Sequence, residues 1–232
     1  MADRPDIKAV LFDLDGTLID TQALILASMN HTMDTVLGKS FPPEVLMHKV
    51  GQPLAVQMRD FVDSDEACEE LLRVYRAHNA AVHDSLARPF EGAQATLDAL
   101  ARAGYPLGVV TSKRHEPAMH GLRLFGLDGY FAFLIGSDDC DTHKPDPGPV
   151  VLGTQLIGHK PEECLYVGDS PYDMMAGKAA GAFTAAALWG MFPREALEEQ
   201  APDYLCSAIR ELPALLGMGM DGARDLGHAM VV

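Results

Sequence analysis

The chain has 232 residues, 48% of them hydrophobic and 22% charged, enough for one large domain or a domain plus a smaller insert. Its 18 Lys and Arg against 33 Asp and Glu leave a net charge of −15, which argues against a duplex nucleic-acid or anionic-membrane partner, since both demand a basic face. No run approaches the roughly 18 to 20 apolar residues of a membrane span, and four cysteines without a C-x-x-C spacing, behind an opening segment with no apolar signal run, point to a reduced, cytoplasmic protein.

The first element is an apolar strand, Ile7 to Phe12, that stops at Asp13-Leu14-Asp15-Gly16-Thr17. Residues i and i+2 of a strand share a face, so Asp13 and Asp15 stand side by side and repel. A divalent cation is the usual way to offset such a pair. From about residue 20 to 88 the pattern is helical: Leu24, Ile25, Met29, Met33, Val36 and Leu37, then Leu54, Met58, Phe61 and Val62, then Cys68, Leu71, Leu72 and Tyr75. We read an all-helical unit over 20–86, inserted through linkers near Leu18–Thr21 and Leu86–Gly92; helices that merely cover one sheet face are the alternative. Cys68 and Arg73 fall one residue short of the C-x5-R loop of cysteine-dependent phosphatases.

The later strands are expected at Pro106–Val110, Phe131–Ile135, Cys164–Val167 and Phe183–Ala187, separated by helix-length segments. That alternation predicts an α/β fold with a doubly wound parallel sheet, residues 1–19 and 87–217, and a glycine-rich mobile tail over 218–232. Polar groups appear where these strands end: Thr111-Ser112-Lys113, then His143-Lys144-Pro145-Asp146-Pro147, then Gly168-Asp169-Ser170-Pro171-Tyr172-Asp173. Ligands of open parallel sheets bind at such ends. Carboxylates without a histidine cluster suit a hard ion such as Mg²⁺, and a lysine with a hydroxyl suits a phosphoryl group. Together they point to nucleophilic catalysis through an aspartyl-phosphate. Thr111 could instead cap the next helix, and Asp173 could complement a helix dipole. His115, His120 and His143 match no zinc spacing and read as solvated or core side chains.

Four motifs in this order, Asp13-Leu14-Asp15-Gly16-Thr17-Leu18, Thr111, Lys144 and Gly168-Asp169-Ser170-Pro171-Tyr172-Asp173, resemble those of the haloacid dehalogenase-like (HAD) superfamily, over residues 7 to about 215. The resemblance implies a Rossmann-like core with a helical cap, and Asp13 as nucleophile and Mg²⁺ ligand. Asp15 would be the acid and then the base, giving the metal its backbone carbonyl. Thr111, Ser112 and Lys144 would hold the phosphoryl oxygens, Asp169 would complete the metal shell, and Asp173 would support it or orient Lys144. Asp15 disfavours the dehalogenases, and Leu54 in the loop Val50-Gly51-Gln52-Pro53-Leu54 disfavours a Schiff-base phosphonatase. Gln52 in that loop and the lack of histidine in Thr21-Gln22-Ala23-Leu24 make a sugar phosphomutase the minor reading. The most similar branch is that of phosphoglycolate phosphatases and PpaX-like pyrophosphatases. It implies a phosphatase acting on a small phosphorylated metabolite, phosphoglycolate first and pyrophosphate as the alternative. A phospho-acceptor module or a binding scaffold without turnover is the reading from another class. Oligomeric state is not encoded in these motifs.

Overall fold

The computed structural model describes residues 6–218. The expected tail therefore lies, apart from Met218, outside the described residues. Among the described residues six strands form one parallel sheet, and ten α-helices accompany it. In chain order the elements are β1 (Ala9–Phe12), β2 (Ile19–Asp20), α1 (Gln22–Thr32), α2 (Pro43–Met47), α3 (Leu54–Met58), α4 (Asp65–Leu86), β3 (Arg88–Pro89), α5 (Ala93–Arg102), β4 (Leu107–Val110), α6 (His115–Leu124) and β5 (Leu134–Ile135). Then follow α7 (Gly148–Ile157), β6 (Cys164–Gly168), α8 (Pro171–Ala180), β7 (Phe183–Ala187), α9 (Arg194–Glu198), β8 (Tyr204–Cys206) and α10 (Leu212–Leu215).

The sheet order is β5-β4-β1-β6-β7-β8. The central strands are buried on both faces, which is why they read as unbroken apolar runs rather than as an alternation. Val10, Phe12 and Val109 pack with Leu97, Leu100, Ala118 and Leu122 on one side of the sheet, while Leu11, Val110 and Tyr166 pack with Val150 and Ala176 on the other. After β1 the chain builds β4 and β5 on one flank and then crosses to β6 on the other, so the direction of winding reverses between β1 and β6. That crevice is where ligands of such sheets bind, and Asp13 and Asp169 follow the two strands that border it.

Residues 22–86 hold only helices, including a π-helical turn at Met33–Leu37 that ends at Gly38 in the left-handed region. They build their own apolar cluster from Met29, Met33, Leu46, Met58, Leu71 and Leu72, against which Met191 and Phe192 pack from the sheet side. The crossings expected to be plain linkers form a two-stranded antiparallel ribbon, with Ile19 opposite Pro89 and Asp20 opposite Arg88. Two chain passages running side by side satisfy each other's backbone groups, which neither short segment signals alone. Strand β8 was not expected either. Its Tyr204-Leu205-Cys206 lies at the sheet edge, too short for a periodic signal. The strand expected from Phe131 begins only at Leu134, because a short 3-10 turn over Asp128–Tyr130 precedes it.

Candidate active site

Asp13 and Asp169 extend β1 and β6, and both are buried. Asp173 lies in the first turn of α8, placed by a capping box: Ser170 Oγ accepts from the Asp173 N–H at 3.2 Å, and the Ser170 N–H donates to Asp173 Oδ2 at 3.0 Å. The Ser170 hydroxyl donates to the same carboxylate oxygen at 2.5 Å. The other oxygen, Oδ1, accepts from Lys144 Nζ at 2.5 Å. Lys144 also donates to Asp13 Oδ1 at 3.0 Å and to the Tyr166 hydroxyl at 3.1 Å. One buried ammonium thus joins the first strand, the loop before α7 and the start of α8.

Asp13, Asp169 and Asp173 each offer a carboxylate oxygen, all within 4.8 Å of one another. Two glycines make room for Asp169. A Cβ on Gly16 would stand 2.1 Å from Asp169 Oδ2, and one on Gly190 would stand 2.2 Å from Asp169 Cβ. The Met191 N–H holds Asp169 Oδ2 at 2.7 Å.

Burial drives the Asp13 carboxyl up from 3.8 to about 7; Lys144 opposes this and Asp173 adds to it. Asp169 rises well above the usual carboxylate range through burial, with Asp173 and Asp13 adding to it. Burial alone would lower Lys144, yet the Asp13 and Asp173 carboxylates hold it well above its ordinary value. Three buried carboxylates around a single ammonium leave negative charge uncompensated, and their oxygens are hard donors. The residues present therefore fit a divalent cation of the Mg²⁺ type.

A cavity of about 680 Å³ opens in front of this cluster, between the helices of 22–86 and the sheet. Asp13, Asp15, Thr111, Ser112 and Asp169 line it; Lys144 and Asp173 stand behind its wall and reach it through Asp13. All seven residues anticipated from the sequence are therefore gathered at one end of the sheet, although Asp15 stands outside the carboxylate cluster. Its side chain pairs instead with Lys113 at 2.9 Å. Thr111 Oγ1 accepts from the Lys113 N–H at 3.2 Å, a local contact of the capping kind. Ser112 Oγ donates to the Gly51 carbonyl at 2.6 Å, tying the loop at Val50–Leu54 to the strand ends. Gly51 has φ +98, and a Cβ there would meet Ser170 Oγ at 2.7 Å, so this close approach requires glycine.

Sequence reasoning missed Tyr166, whose hydroxyl lies 2.9 Å from Asp173 Oδ1 and 3.0 Å from the Val110 carbonyl. A tyrosine inside an apolar strand reads as core, and only the fold shows its polar end meeting Lys144. It also missed the partnership of Lys113 with Asp15, which spans 98 positions. The Ser170-to-Asp173 spacing did carry a signal, that of a capping box.

Comparison with known proteins accords with this geometry. Residues 10–187 match the model of the haloacid dehalogenase-like hydrolases. The chain is 39% identical to the pyrophosphatase PpaX of Bacillus velezensis, over 91% of this chain and 97% of that one. It is 37% identical to the pyrophosphatase PpaX of Halalkalibacterium halodurans, over 92% and 98%. Among solved structures, a haloacid dehalogenase-like hydrolase of Streptococcus pneumoniae superposes with a TM-score of 0.81 at 26% identity, over 90% of this chain and 98% of that one. A predicted phosphoglycolate phosphatase of Haemophilus somnus superposes with a TM-score of 0.84 at 24% identity, over 90% and 98%, a likeness of fold. With the motif residues clustered at the switch point of the sheet, the chain belongs to the haloacid dehalogenase-like hydrolase family.

Proposed function

We propose that the chain is a Mg²⁺-dependent phosphohydrolase for a small phosphorylated metabolite, with inorganic pyrophosphate the first candidate and phosphoglycolate the second. The observation that carries this reading is the buried Asp13–Lys144–Asp173 chain beside Asp169 at the floor of the cavity between the helices of 22–86 and the sheet. Pyrophosphate is placed ahead of the phosphoglycolate favoured from sequence alone because the relatives near 40% identity carry the pyrophosphatase name.

In this reading an Asp13 oxygen attacks phosphorus, and the bond to the leaving oxygen breaks with its electron pair going to that oxygen. Asp15 supplies the proton the leaving group needs. Water then attacks the aspartyl-phosphate, Asp15 takes its proton, phosphate departs and the Asp13 carboxylate is restored. The Thr111 hydroxyl and the Ser112 N–H hold phosphoryl oxygens. Lys144 keeps Asp13 in place and offsets charge on the transferring group, while Asp173 and Tyr166 hold Lys144. Mg²⁺ held by Asp13, Asp169 and the Asp15 carbonyl would supply the charge neutralisation that lets a carboxylate approach an anionic phosphate.

Residues 20–86 act as a cap on a core of 1–19 and 87–217, excluding water when the Gly51–Ser112 contact is made. Arg76 on α4 lines the cavity, and no acidic partner pairs with it among the described residues. Lys113 and Arg114 are already paired with Asp15 and Asp138. We assign Arg76 to the anionic leaving group. The test is Mg²⁺-dependent phosphate release from pyrophosphate, phosphoglycolate, sugar phosphates and nucleotides, with Asp13→Asn as control. Pyrophosphate should give the highest kcat/KM; no release from any of them overturns the reading.

A further inference from the structure

Two of the cavity's lining residues, His83 and His120, have no part in the phosphoryl chemistry. His83 lies near the end of α4 and His120 in α6, 37 positions on. The spacing signals nothing, yet α4 and α6 pack together and bring both rings onto one carboxylate. His83 Nδ1 stands 2.9 Å from Asp84 Oδ1, and His120 Nε2 stands 2.8 Å from the same oxygen. The rings meet edge to face with centroids 5.0 Å apart. One ligand atom from each of the three side chains lies within 4.8 Å of the other two.

His83 is 3% exposed; its Nδ1 is the ring nitrogen that faces Asp84, and its Nε2, across the ring, has no hydrogen-bond partner. Asp84 and His120 are more than half exposed, so the cluster opens to solvent. A buried, fixed ring joined by two accessible donors leaves a position for water or an exchangeable ligand.

We propose that His83, Asp84 and His120 form a second metal site, for a transition-metal dication such as Zn²⁺. Two imidazoles and a carboxylate match a three-ligand zinc site with one open position, whereas the all-oxygen cluster at Asp13 suits a harder ion. The two sites sort cations by donor chemistry. Because α4 belongs to the helical insert and α6 to the sheet layer, the bound ion tethers one to the other beside the cavity mouth. The proposal does not depend on the phosphohydrolase reading.

The test uses untagged, chelator-treated full-length chain in excess Mg²⁺, titrated with Zn²⁺ by calorimetry and then measured by zinc-edge X-ray absorption. The expected result is one Zn²⁺ per chain with nitrogen neighbours at about 2.0–2.1 Å. His120→Ala and Asp84→Asn, both at exposed positions and checked for folding by circular dichroism, should each weaken binding by ~100-fold or more, beyond the 10- to 100-fold effect of losing a supporting contact. Asp169→Asn should leave it unchanged. Absent Zn²⁺ uptake, an all-oxygen shell, or binding lost in Asp169→Asn but kept in His120→Ala overturns the proposal.

Discussion

Asp13→Asn should stabilise the metal-free protein at alkaline pH while abolishing turnover. Asp13 is buried, and ionising it in the fold requires raising the pH through about 7 instead of 3.8. A folded-state pKa above the unfolded one contributes stability that is complete below the unfolded value and lost as pH rises through the folded value. Between about pH 4 and pH 8 the metal-free wild type therefore gives up on the order of 4 kcal/mol at this one carboxyl. Asparagine keeps the volume and the oxygen that accepts from Lys144, and it carries no charge to bury. Asp13→Asn should accordingly melt higher than wild type at pH 8 in EDTA, by on the order of 10 °C for a chain of this size. The gap should close at pH 4 and shrink when Mg²⁺ takes the place of the proton. Thermal melts followed by circular dichroism at pH 4, 6 and 8, with EDTA or Mg²⁺, measure this directly. A variant no more stable than wild type at pH 8 without metal would refute the claim that this carboxylate is held against its own burial.

Gly190→Ala should weaken Mg²⁺ activation by about 10- to 100-fold, because the new Cβ displaces Asp169 while leaving the nucleophile alone; activity against Mg²⁺ concentration reads the shift. Lys144→Met leaves Asp13 and Asp173 without their buried cation and should destabilise the metal-free fold by about 3–5 kcal/mol at pH 8, seen in urea unfolding. Ser112→Ala removes the hydroxyl contact to Gly51 and should speed exchange of the Val50–Leu54 amides, measured by hydrogen–deuterium exchange. Arg76→Ala should raise KM for pyrophosphate by roughly tenfold or more with a smaller effect on kcat, in steady-state phosphate release.

The parallel sheet was legible because its central strands are buried on both faces and end abruptly in polar residues. Val10-Leu11-Phe12-Asp13 and Tyr166-Val167-Gly168-Asp169 announce both the strand and its carboxyl end. The helical content of residues 22–86 was legible from period alone. What pairs distant residues was not: the β2–β3 ribbon joins positions 19 and 89, and Lys113 reaches Asp15. Neither partner carries a local signal of the other. Tyr166 shows the same limit from the inside, since its ring belongs to the apolar core and its hydroxyl to the site. The cluster of His83, Asp84 and His120 shows it at the surface, because two helices from different layers create a juxtaposition that no spacing rule contains.

Whether Asp13 is the attacking group is read from acid-quenched single turnover followed by mass spectrometry of the peptide carrying Asp13. With pyrophosphate and Mg²⁺ a phosphoryl group should appear on Asp13 as the first phosphate is released and decay as the second forms, and none should appear in Asp13→Asn. Phosphate released at the wild-type rate from Asp13→Asn, or a phosphoryl group found on another residue, would contradict attack by Asp13.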